Sequence, residues 1–140
     1  MKQNPSKLKF KKNHKIKYSN LFLNEQKVFF PLYGNFALKA LESGKLTFKQ
    51  IEACRKSIRR DVKKLGNVYI RAFTYFSITK KAVGIRMGKG KGNHFLWVCP
   101  IRSGQIICEL SGIEESKALF ALNSASSKLP IKAKAIKLFY

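Results

Sequence analysis

The strongest periodic pattern in the chain predicts a helix between residues 47 and 66. Five apolar residues recur there at steps of three or four positions, which places them on one face of a helix. They are Ile51, Cys54, Ile58, Val62 and Leu65. Thr47 and Gln50 have the spacing of a capping box, in which two side chains bind free N–H groups of the first turn. Gly66 stands where a helix terminator is expected.

Two further helices are predicted from shorter patterns. One begins near Ser111, where Glu114 completes a second capping-box spacing, and it ends before Pro130. Its apolar stripe consists of Ala118, Leu122, Ala125 and Leu129. The other is a short helix predicted from the apolar residues between 36 and 41, with Gly44 as its terminator.

Runs of β-forming residues predict the strands. They span residues 27–30, 68–73, 83–87, 95–99, 105–110 and 131–135. The first run is stopped by Pro31, which cannot donate a hydrogen bond within a sheet. In the last run apolar residues alternate with lysine, which predicts a half-exposed strand with a basic outer face. The chain has no internal repeat and no linker, so one domain is predicted over residues 25–140, after a basic extension over residues 1–24.

The charge of the chain is far from that of an ordinary small domain. Its 140 residues include 29 Lys and Arg but only 7 Asp and Glu, for a formal net charge of +22, while 45% are hydrophobic. Small domains typically carry a net charge of about 2–8 in magnitude. Such a surplus repels itself, and binding to a polyphosphate removes the repulsion and releases condensed counterions. The composition therefore favours a nucleic-acid partner.

Two cation-rich segments are candidate RNA contacts. The extension over residues 1–24 has no carboxylate, and its lysines are interspersed with apolar and aromatic residues. It is predicted to become ordered on RNA, with a disordered solubilising tail as the alternative. The polar face of the first predicted helix carries only Glu52 and Asp61 as acids, which favours an RNA-facing helix over a merely solvated one. Its cations are Lys49, Arg55, Lys56, Arg59, Arg60, Lys63 and Lys64.

A glycine- and lysine-rich segment follows Arg86 and Met87. It consists of Gly88, Lys89, Gly90, Lys91 and Gly92. Glycine lets the backbone approach a phosphate closely, and lysine supplies a mobile positive charge. The spacing does not match the phosphate-binding loop G-x-x-x-x-G-K-[ST] or the dinucleotide-binding loop G-x-G-x-x-G. The segment is predicted to thread between RNA strands, and a flexible surface hairpin loop is the alternative.

No constellation of residues indicates an enzyme, a cofactor or a metal site. Cys54, Cys99 and Cys108 are odd in number and lack C-x-x-C spacing, so buried, reduced thiols are expected. His14 and His94 are distant in sequence, and no nucleophile, base and orienting group stand together. Three acids are expected to cluster at a helix start and complement its dipole. They are Glu109, Glu114 and Glu115.

Four stretches along the chain are distinctive in their order and separation. They are KFKKNHK at 9–15, LTFKQIEA at 46–53, RMGKGKGN at 86–93 and KLPIK at 128–132. Together they resemble the large-subunit ribosomal protein L-sixteen family, which is related to the L-ten-e proteins. The resemblance extends from Lys7 to Ile136. It implies a compact α+β fold of antiparallel strands with two packed helices. It also implies binding to large-subunit rRNA beneath the central protuberance, beside neighbouring ribosomal proteins, with the N-terminal segment and the glycine loop near the peptidyl-transferase region and the aminoacyl-tRNA.

The residues expected to bind RNA are the cations of these segments, together with the loop glycines, His14 and two lysines of the last strand. They are Lys7, Lys9, Lys11, Lys12, His14, Lys15, Lys17, Arg55, Arg59, Arg60, Lys63, Arg86, Gly88, Lys89, Gly90, Lys91, Gly92, Lys132 and Lys134. The chain departs from the family pattern at residues 16–20 and 74–78. The second departure contains Tyr75 and Phe76, whose aromatic side chains are expected to be exposed.

The remaining alternatives concern the source of the chain and its class of function. Lys far exceeds Arg and there are 11 Phe, a bias that A/T-rich codons produce. This favours a ribosome in the mitochondrial matrix, with a bacterial cytoplasm or a plastid as alternatives. A free-standing nucleic-acid chaperone or DNA-compacting protein is the second function considered. A binder of anionic lipid surfaces is the third, but the cations are spread along the whole chain rather than gathered on one amphipathic helix, so no membrane partner is expected.

Overall fold

The computed structural model describes residues 5, 8–17 and 29–137. In chain order the strands are β1 (Phe36–Ala40), β2 (Gly44–Thr47), β3 (Asn67–Ile70), β4 (Phe76–Lys80), β5 (Asn93–Ile101), β6 (Ile106–Ser111) and β7 (Ala133–Lys137). The helices are α1 (Phe48–Val62), between β2 and β3, and α2 (Glu115–Ser126), between β6 and β7.

The strands form two antiparallel sheets. The first has the order β3-β6-β1-β7, and the second has the order β2-β5-β4. Both helices pack on one face of the first sheet, where Leu38, Ile58 and Leu122 belong to one buried cluster. A second cluster, which contains Leu46 and Ile107, joins the two sheets. The expected α+β fold of antiparallel strands with two packed helices is confirmed.

The short helix predicted between residues 36 and 44 is wrong, because these residues form β1. Phe36 is 6% exposed, and Ala37, Leu38 and Ala40 are fully buried. β1 pairs with β6 on one side and with β7 on the other, so it lies inside the sheet. A strand buried on both faces has a nearly continuous apolar run instead of an alternating one, and such a run cannot be told from a short buried helix by its period.

Helix α1 confirms the strongest sequence prediction, apart from its end. Thr47 and Gln50 form both hydrogen bonds of the capping box. The helix ends at Val62, and Lys63 takes a positive φ of 55° in the C-cap position, three residues before Gly66. Leu65, which was expected on the buried stripe, is 65% exposed. The apolar stripe therefore predicts the buried face of α1 correctly, but it predicts a helix that is longer than the one observed.

Replacing Thr47 with alanine is expected to lower the free energy of unfolding by about 1 kcal/mol, the usual cost of losing an N-cap side chain. The hydroxyl accepts a hydrogen bond from the N–H of Gln50 at 3.4 Å, and alanine leaves that donor without its partner. Chemical denaturation would measure the loss. Asn123→Ala is the matched control, because Asn123 is an exposed position inside a helix, and this variant should not be less stable than the parent.

Helix α2 begins four residues later than predicted. Ser111 is the last residue of β6, and Glu114 occupies the N-cap position without a side-chain hydrogen bond to the helix. The predicted capping box is therefore wrong. The predicted stripe is largely confirmed, since Ala118, Leu122 and Ala125 are fully buried against α1 and β1.

The other strand predictions have mixed outcomes. The runs at 68–73, 95–99, 105–110 and 131–135 correspond to β3, β5, β6 and β7 with shifted ends. The run at 83–87 is wrong, because it lies in a turn where Val83 is 98% exposed and Met87 is 99% exposed. Residues 27 and 28 lie outside the described residues, while Phe29 and Phe30 form a turn and a bend. The boundary predicted at residues 24 and 25 also lies outside the described residues.

Three buried thiols confirm the prediction for the cysteines. Cys54, Cys99 and Cys108 are free and buried. Burial raises the pKa of Cys99 to about 11, and a hydrogen bond with Cys54 together with burial raises the pKa of Cys108. A protonated thiol is a poor nucleophile and a poor metal ligand, so Cys99 and Cys108 act as core residues. Within the described ranges, no helix combines the length and apolar composition that a membrane span requires.

Glu109 occupies a different place from the one predicted. It lies on β6 with a side chain that is 0% exposed, not at the start of α2. Its Oε2 accepts hydrogen bonds from the N–H groups of Leu32, Tyr33 and Gly34, at 3.0, 2.6 and 3.0 Å. Its Oε1 accepts one from Arg71 at 2.7 Å. Glu109 therefore fixes the segment that precedes β1 against the sheet, and its role is structural.

Candidate nucleic-acid interface

The glycine- and lysine-rich segment lies in the connection between β4 and β5. This connection, residues 81–92, is the basic loop. β4 and β5 are antiparallel neighbours, so the loop closes a long hairpin at the edge of the second sheet. Residues 82 to 91 are all exposed. The sequence placed this segment correctly between two strands, although the strand before it is β4 and not the run at 83–87.

Backbone conformation explains the glycines of the basic loop. Gly88, Lys89 and Gly90 have consecutive positive φ angles of 94°, 54° and 84°. Most side chains disfavour that region, whereas glycine enters it without a steric cost. Gly92 is needed for a different reason, because a Cβ atom there would lie 2.6 Å from the carbonyl group of Lys80. The loop thus presents a curved backbone with little side-chain bulk between its lysines.

The described part of the N-terminal extension contacts the basic loop. Lys12 Nζ donates to the carbonyl of Lys91 at 3.2 Å, and Lys91 Nζ donates to the carbonyl of Asn13. Residues 13–16 border a cleft of about 240 Å³ together with Lys45 of β2 and residues of β4. The fold therefore joins two segments that are about 78 residues apart in sequence into one basic surface.

No carboxylate neutralises this surface within the described residues. Of the seven acids in the chain, only Glu25 lies outside the described ranges. The other six each form an ion pair with a cation that belongs neither to the extension nor to the basic loop. The lysines of the extension and the loop consequently face one another without a protein counterion, which favours binding of an external polyanion.

The basic loop also encloses a groove of about 540 Å³ beside β5. Its walls carry Lys80, Lys81, Lys89 and Lys91, and Phe95, which is 57% exposed, closes one side. Lys81 Nζ donates to the carbonyl of Gly88 at 2.5 Å, which holds the loop in its curved shape. Lys80 lies over the Phe95 ring, with Nζ 5.2 Å from the ring centroid.

The predicted cations of α1 lie on another part of the surface and differ in what they contact. Arg55 pairs with Glu52 at 2.7 Å, and this hydrogen bond lowers the pKa of Glu52. Arg59 donates to the carbonyl of Gly66 at 2.9 Å, so it stabilises the turn after the helix. Arg60 has a side chain that is 75% exposed, and Lys63 is also exposed. Of these four cations, only Arg60 and Lys63 are directed mainly at solvent.

Lys132 and Lys134 form a third basic region along β7, an edge strand of the first sheet. Lys132 pairs with Glu42 at 3.1 Å, and its hydrogen bond lowers the pKa of that carboxyl. Lys134 is exposed and lies opposite Lys39 in the register of β1 and β7. Lysine on an edge strand also discourages pairing with another chain, so Lys134 has a structural explanation of its own, as Lys132, which precedes the strand, has in its ion pair.

Several residues of the basic surface were missed by the sequence analysis. Lys45, Lys80 and Lys81 border the same clefts as the predicted residues. Lys80 and Lys81 follow Tyr75 and Phe76, a segment that was interpreted only as a departure from the family pattern. The expected exposure is confirmed for Tyr75, which is 38% exposed, but is wrong for Phe76, which is half-buried within β4. The alternation in Phe76–Lys80 was the signal that would have revealed this strand.

Comparisons with known proteins show which proteins the chain is similar to. The family model described as ribosomal protein L16p/L10e matches residues 5–136. The chain is 47% identical over 128 residues to the large ribosomal subunit protein uL16 of Buchnera aphidicola subsp. Cinara cedri, covering 91% of each chain. It is 42% identical over 135 residues to the protein of the same name from Pelagibacter ubique, covering 96% of this chain and 97% of the relative. The corresponding protein of Leptospira biflexa is 39% identical over 133 residues.

Proposed function

Because the chain belongs to the ribosomal protein L16p/L10e family, we propose that it is a structural constituent of the large ribosomal subunit that binds rRNA through its N-terminal extension and basic loop. This family is structural, and the chain is not an enzyme. The observation that carries the proposal is the distribution of acids. All six described carboxylates are paired elsewhere, so the cations of the extension and the loop are left for an external polyanion.

The geometry supports separate contributions to RNA binding from the hydrogen bonds, the glycine backbone and the lysine charges of this surface. The hydrogen bonds from Lys12 to the Lys91 carbonyl and from Lys91 to the Asn13 carbonyl hold the extension and the loop as one surface, so a single RNA segment can contact both. The glycine backbone around Lys89 leaves room for a phosphate to approach N–H groups directly. Lysine ammonium groups then supply the charge and release counterions from the RNA. This mode of binding reads the shape of a folded RNA and needs no base-specific contact.

Positioning of the aminoacyl-tRNA belongs to the same proposal. The exposed tip of the basic loop, from Val83 to Lys91, is the part of the described chain best suited to reach beyond the body of the fold. We propose that it approaches the tRNA transiently near the peptidyl-transferase centre, while RNA performs the chemistry. The exposed Arg60, Lys63 and Lys134, together with Lys132, are proposed as secondary rRNA contacts on the other two basic regions.

A mitochondrial ribosome is the proposed location, and this part rests on the Lys- and Phe-rich composition alone. The curated relatives named above are bacterial. A bacterial ribosome is therefore the alternative with direct support from similarity. Cell fractionation followed by detection of the chain in mitochondrial or cytosolic ribosomes decides between them.

Sedimentation tests the ribosomal assignment against a free-standing nucleic-acid chaperone. The chain should co-migrate with large subunits through a density gradient at moderate salt, whereas a DNA-compacting protein would spread over DNA fractions. Binding of the purified chain to large-subunit rRNA should weaken steeply as salt rises, with each lost phosphate contact lowering the log–log slope by about one. A flat salt response together with absence from the large-subunit fractions would contradict the proposal.

A further inference from the structure

A second groove lies on the opposite end of α1 from Thr47, between the last turn of α1 and the first turns of α2. It has a volume of about 480 Å³. Arg60, Asp61, Lys63, Ser116, Lys117 and Phe120 border it. The two helices pack against each other, and the hydroxyl groups of Ser57 on α1 and Ser124 on α2 are 3.3 Å apart. This groove is separate from the extension and the basic loop.

Phe120 is the unusual residue of this groove. Its side chain is 69% exposed, although the residues that follow it on the buried face of α2, Ala121 and Leu122, are fully covered. Among the described residues, no aromatic ring stacks on Phe120 and no lysine or arginine covers its ring. An exposed ring contributes little to the core, and at the mouth of a groove it leaves a π face available to a flat ligand.

The charges around Phe120 define the ligand further. Arg60 and Lys63 are exposed, and Lys117 has a side chain that is 62% exposed although it pairs with Glu114 at 3.0 Å. Asp61 is the one carboxylate that borders the groove, and it already contacts Arg60 at 3.4 Å. Cations therefore outnumber acids at the groove by three to one. A ligand that matches both features carries an aromatic face and an anion within a few ångströms of each other.

We propose that this groove binds one unpaired nucleotide of the subunit RNA, with its base stacked on Phe120 and its phosphates bound by Arg60 and Lys63. The inference rests on the proposed RNA binding, and it specifies the ligand of one secondary contact region, away from the extension and the basic loop. A nucleotide combines a π face and an anionic phosphate in one unit, and stacking on exposed aromatic rings is the common way in which proteins hold unpaired bases. The groove volume lies within the range of pockets that hold small ligands, about 300–1,000 Å³.

A protein partner fits this surface less well. Its docking segment would have to supply both a hydrophobic side chain for Phe120 and acids for the surrounding cations. RNA satisfies both requirements at every nucleotide, and each phosphate also releases counterions when Arg60 or Lys63 binds it. The planar guanidinium of Arg60 can bind a phosphate in a bidentate manner, which a lysine cannot.

The test compares Phe120→Leu with Phe120→Tyr in the full-length chain. Leucine keeps an apolar side chain and a good helix former but cannot stack as a flat ring, whereas tyrosine keeps the ring. Affinity for large-subunit rRNA should fall by roughly 5- to 150-fold in Phe120→Leu and stay near the parent value in Phe120→Tyr, as loss of one base stack predicts. Chemical probing of the RNA should show one unpaired nucleotide that the parent protects and Phe120→Leu exposes.

Two controls keep this inference apart from the proposed function. Phe30→Leu removes another exposed ring, 61% exposed and outside the groove, and should leave affinity and protection unchanged. Thermal unfolding of the Phe120 variants should match that of the parent. If the parent binds the rRNA while Phe120→Leu retains full affinity and the same protected nucleotides, the nucleotide site is wrong and the proposed function stands. Equal losses in Phe120→Leu and Phe120→Tyr would also overturn it, and a parent that fails to bind rRNA overturns both.

Discussion

Replacing Glu109 with alanine is expected to lower the free energy of unfolding by about 3–5 kcal/mol, the range found when one partner of a buried ion pair is removed. The carboxylate is fully buried on β6 and is the shared acceptor of four hydrogen bonds. Arg71 would be left with a charge that is 14% exposed and without its carboxylate. For a protein of ordinary stability, this loss is a large fraction of the whole.

The three backbone donors place the expected loss toward the upper end of this range. The N–H groups of Leu32, Tyr33 and Gly34 point at one carboxylate oxygen, and alanine offers them no acceptor. The hydrogen bond of Gly34 is buried and those of Leu32 and Tyr33 are partly buried, and a buried donor left unsatisfied costs about 1–3 kcal/mol. Gly34 also leaves no space for relaxation, because its Cα already packs so closely on β6 that a Cβ atom would lie 2.3 Å from the carbonyl oxygen of Leu110.

Two companion variants decide whether burial is the cause. Glu52→Ala removes a surface partner of Arg55, whose side chain is 35% exposed, and should cost no more than about 1 kcal/mol. Glu109→Gln keeps one carbonyl acceptor but loses the charge, and should fall between the parent and Glu109→Ala. Urea denaturation at one fixed ionic strength measures all three. A loss below about 1 kcal/mol for Glu109→Ala would contradict the structural role assigned to this carboxylate.

Glu109 also shows where sequence reasoning reached its limit in the fold. Local patterns identified α1 through its capping residues and its stripe, because helix contacts repeat every three or four residues and are visible in a short window. The partners of Glu109 are up to 77 residues away along the chain. Nothing in the neighbourhood of Glu109 distinguishes an acid that caps a helix from one buried against distant N–H groups. The same limit explains why β1 was predicted as a helix, because its burial depends on partners distant in sequence. Leu38 packs with the two helices, and Ala40 packs with residues of the second sheet.

The candidate interface was predictable in composition but not in arrangement. The sequence identified the cations of the extension and the glycines of the basic loop, because charge and glycine content are local properties. The contacts of Lys12 and Lys91 that join these segments depend on how β4 and β5 sit beside the extension. Arg55 and Arg59 show the converse error, since each is engaged by a neighbouring group of the same chain. The i,i+3 spacing of Glu52 and Arg55 already indicated an ion pair, whereas the hydrogen bond from Arg59 to Gly66 depends on the turn that follows the helix.

The basic loop carries the second prediction with a large expected effect. Replacing Lys89 and Lys91 together with alanine should weaken binding to large-subunit rRNA by about 25- to 60-fold at 0.1 M monovalent salt, if each lysine neutralises one phosphate with the usual counterion release. The slope of log affinity against log salt should fall by about two. Alanine has the same Cβ atom as lysine, so the positive φ of Lys89 carries the same backbone cost in both chains.

Matched variants separate a local phosphate contact from a simple loss of charge. Lys64→Ala with Lys128→Ala removes the same two charges at exposed positions outside the proposed contacts, and should change affinity much less. Lys89→Arg with Lys91→Arg keeps both charges and should keep most of the salt slope. Filter binding across a salt series gives both quantities. Equal effects of the two alanine pairs would show that net charge, and not the joined surface of loop and extension, holds the RNA, because only the pair at Lys89 and Lys91 alters that surface.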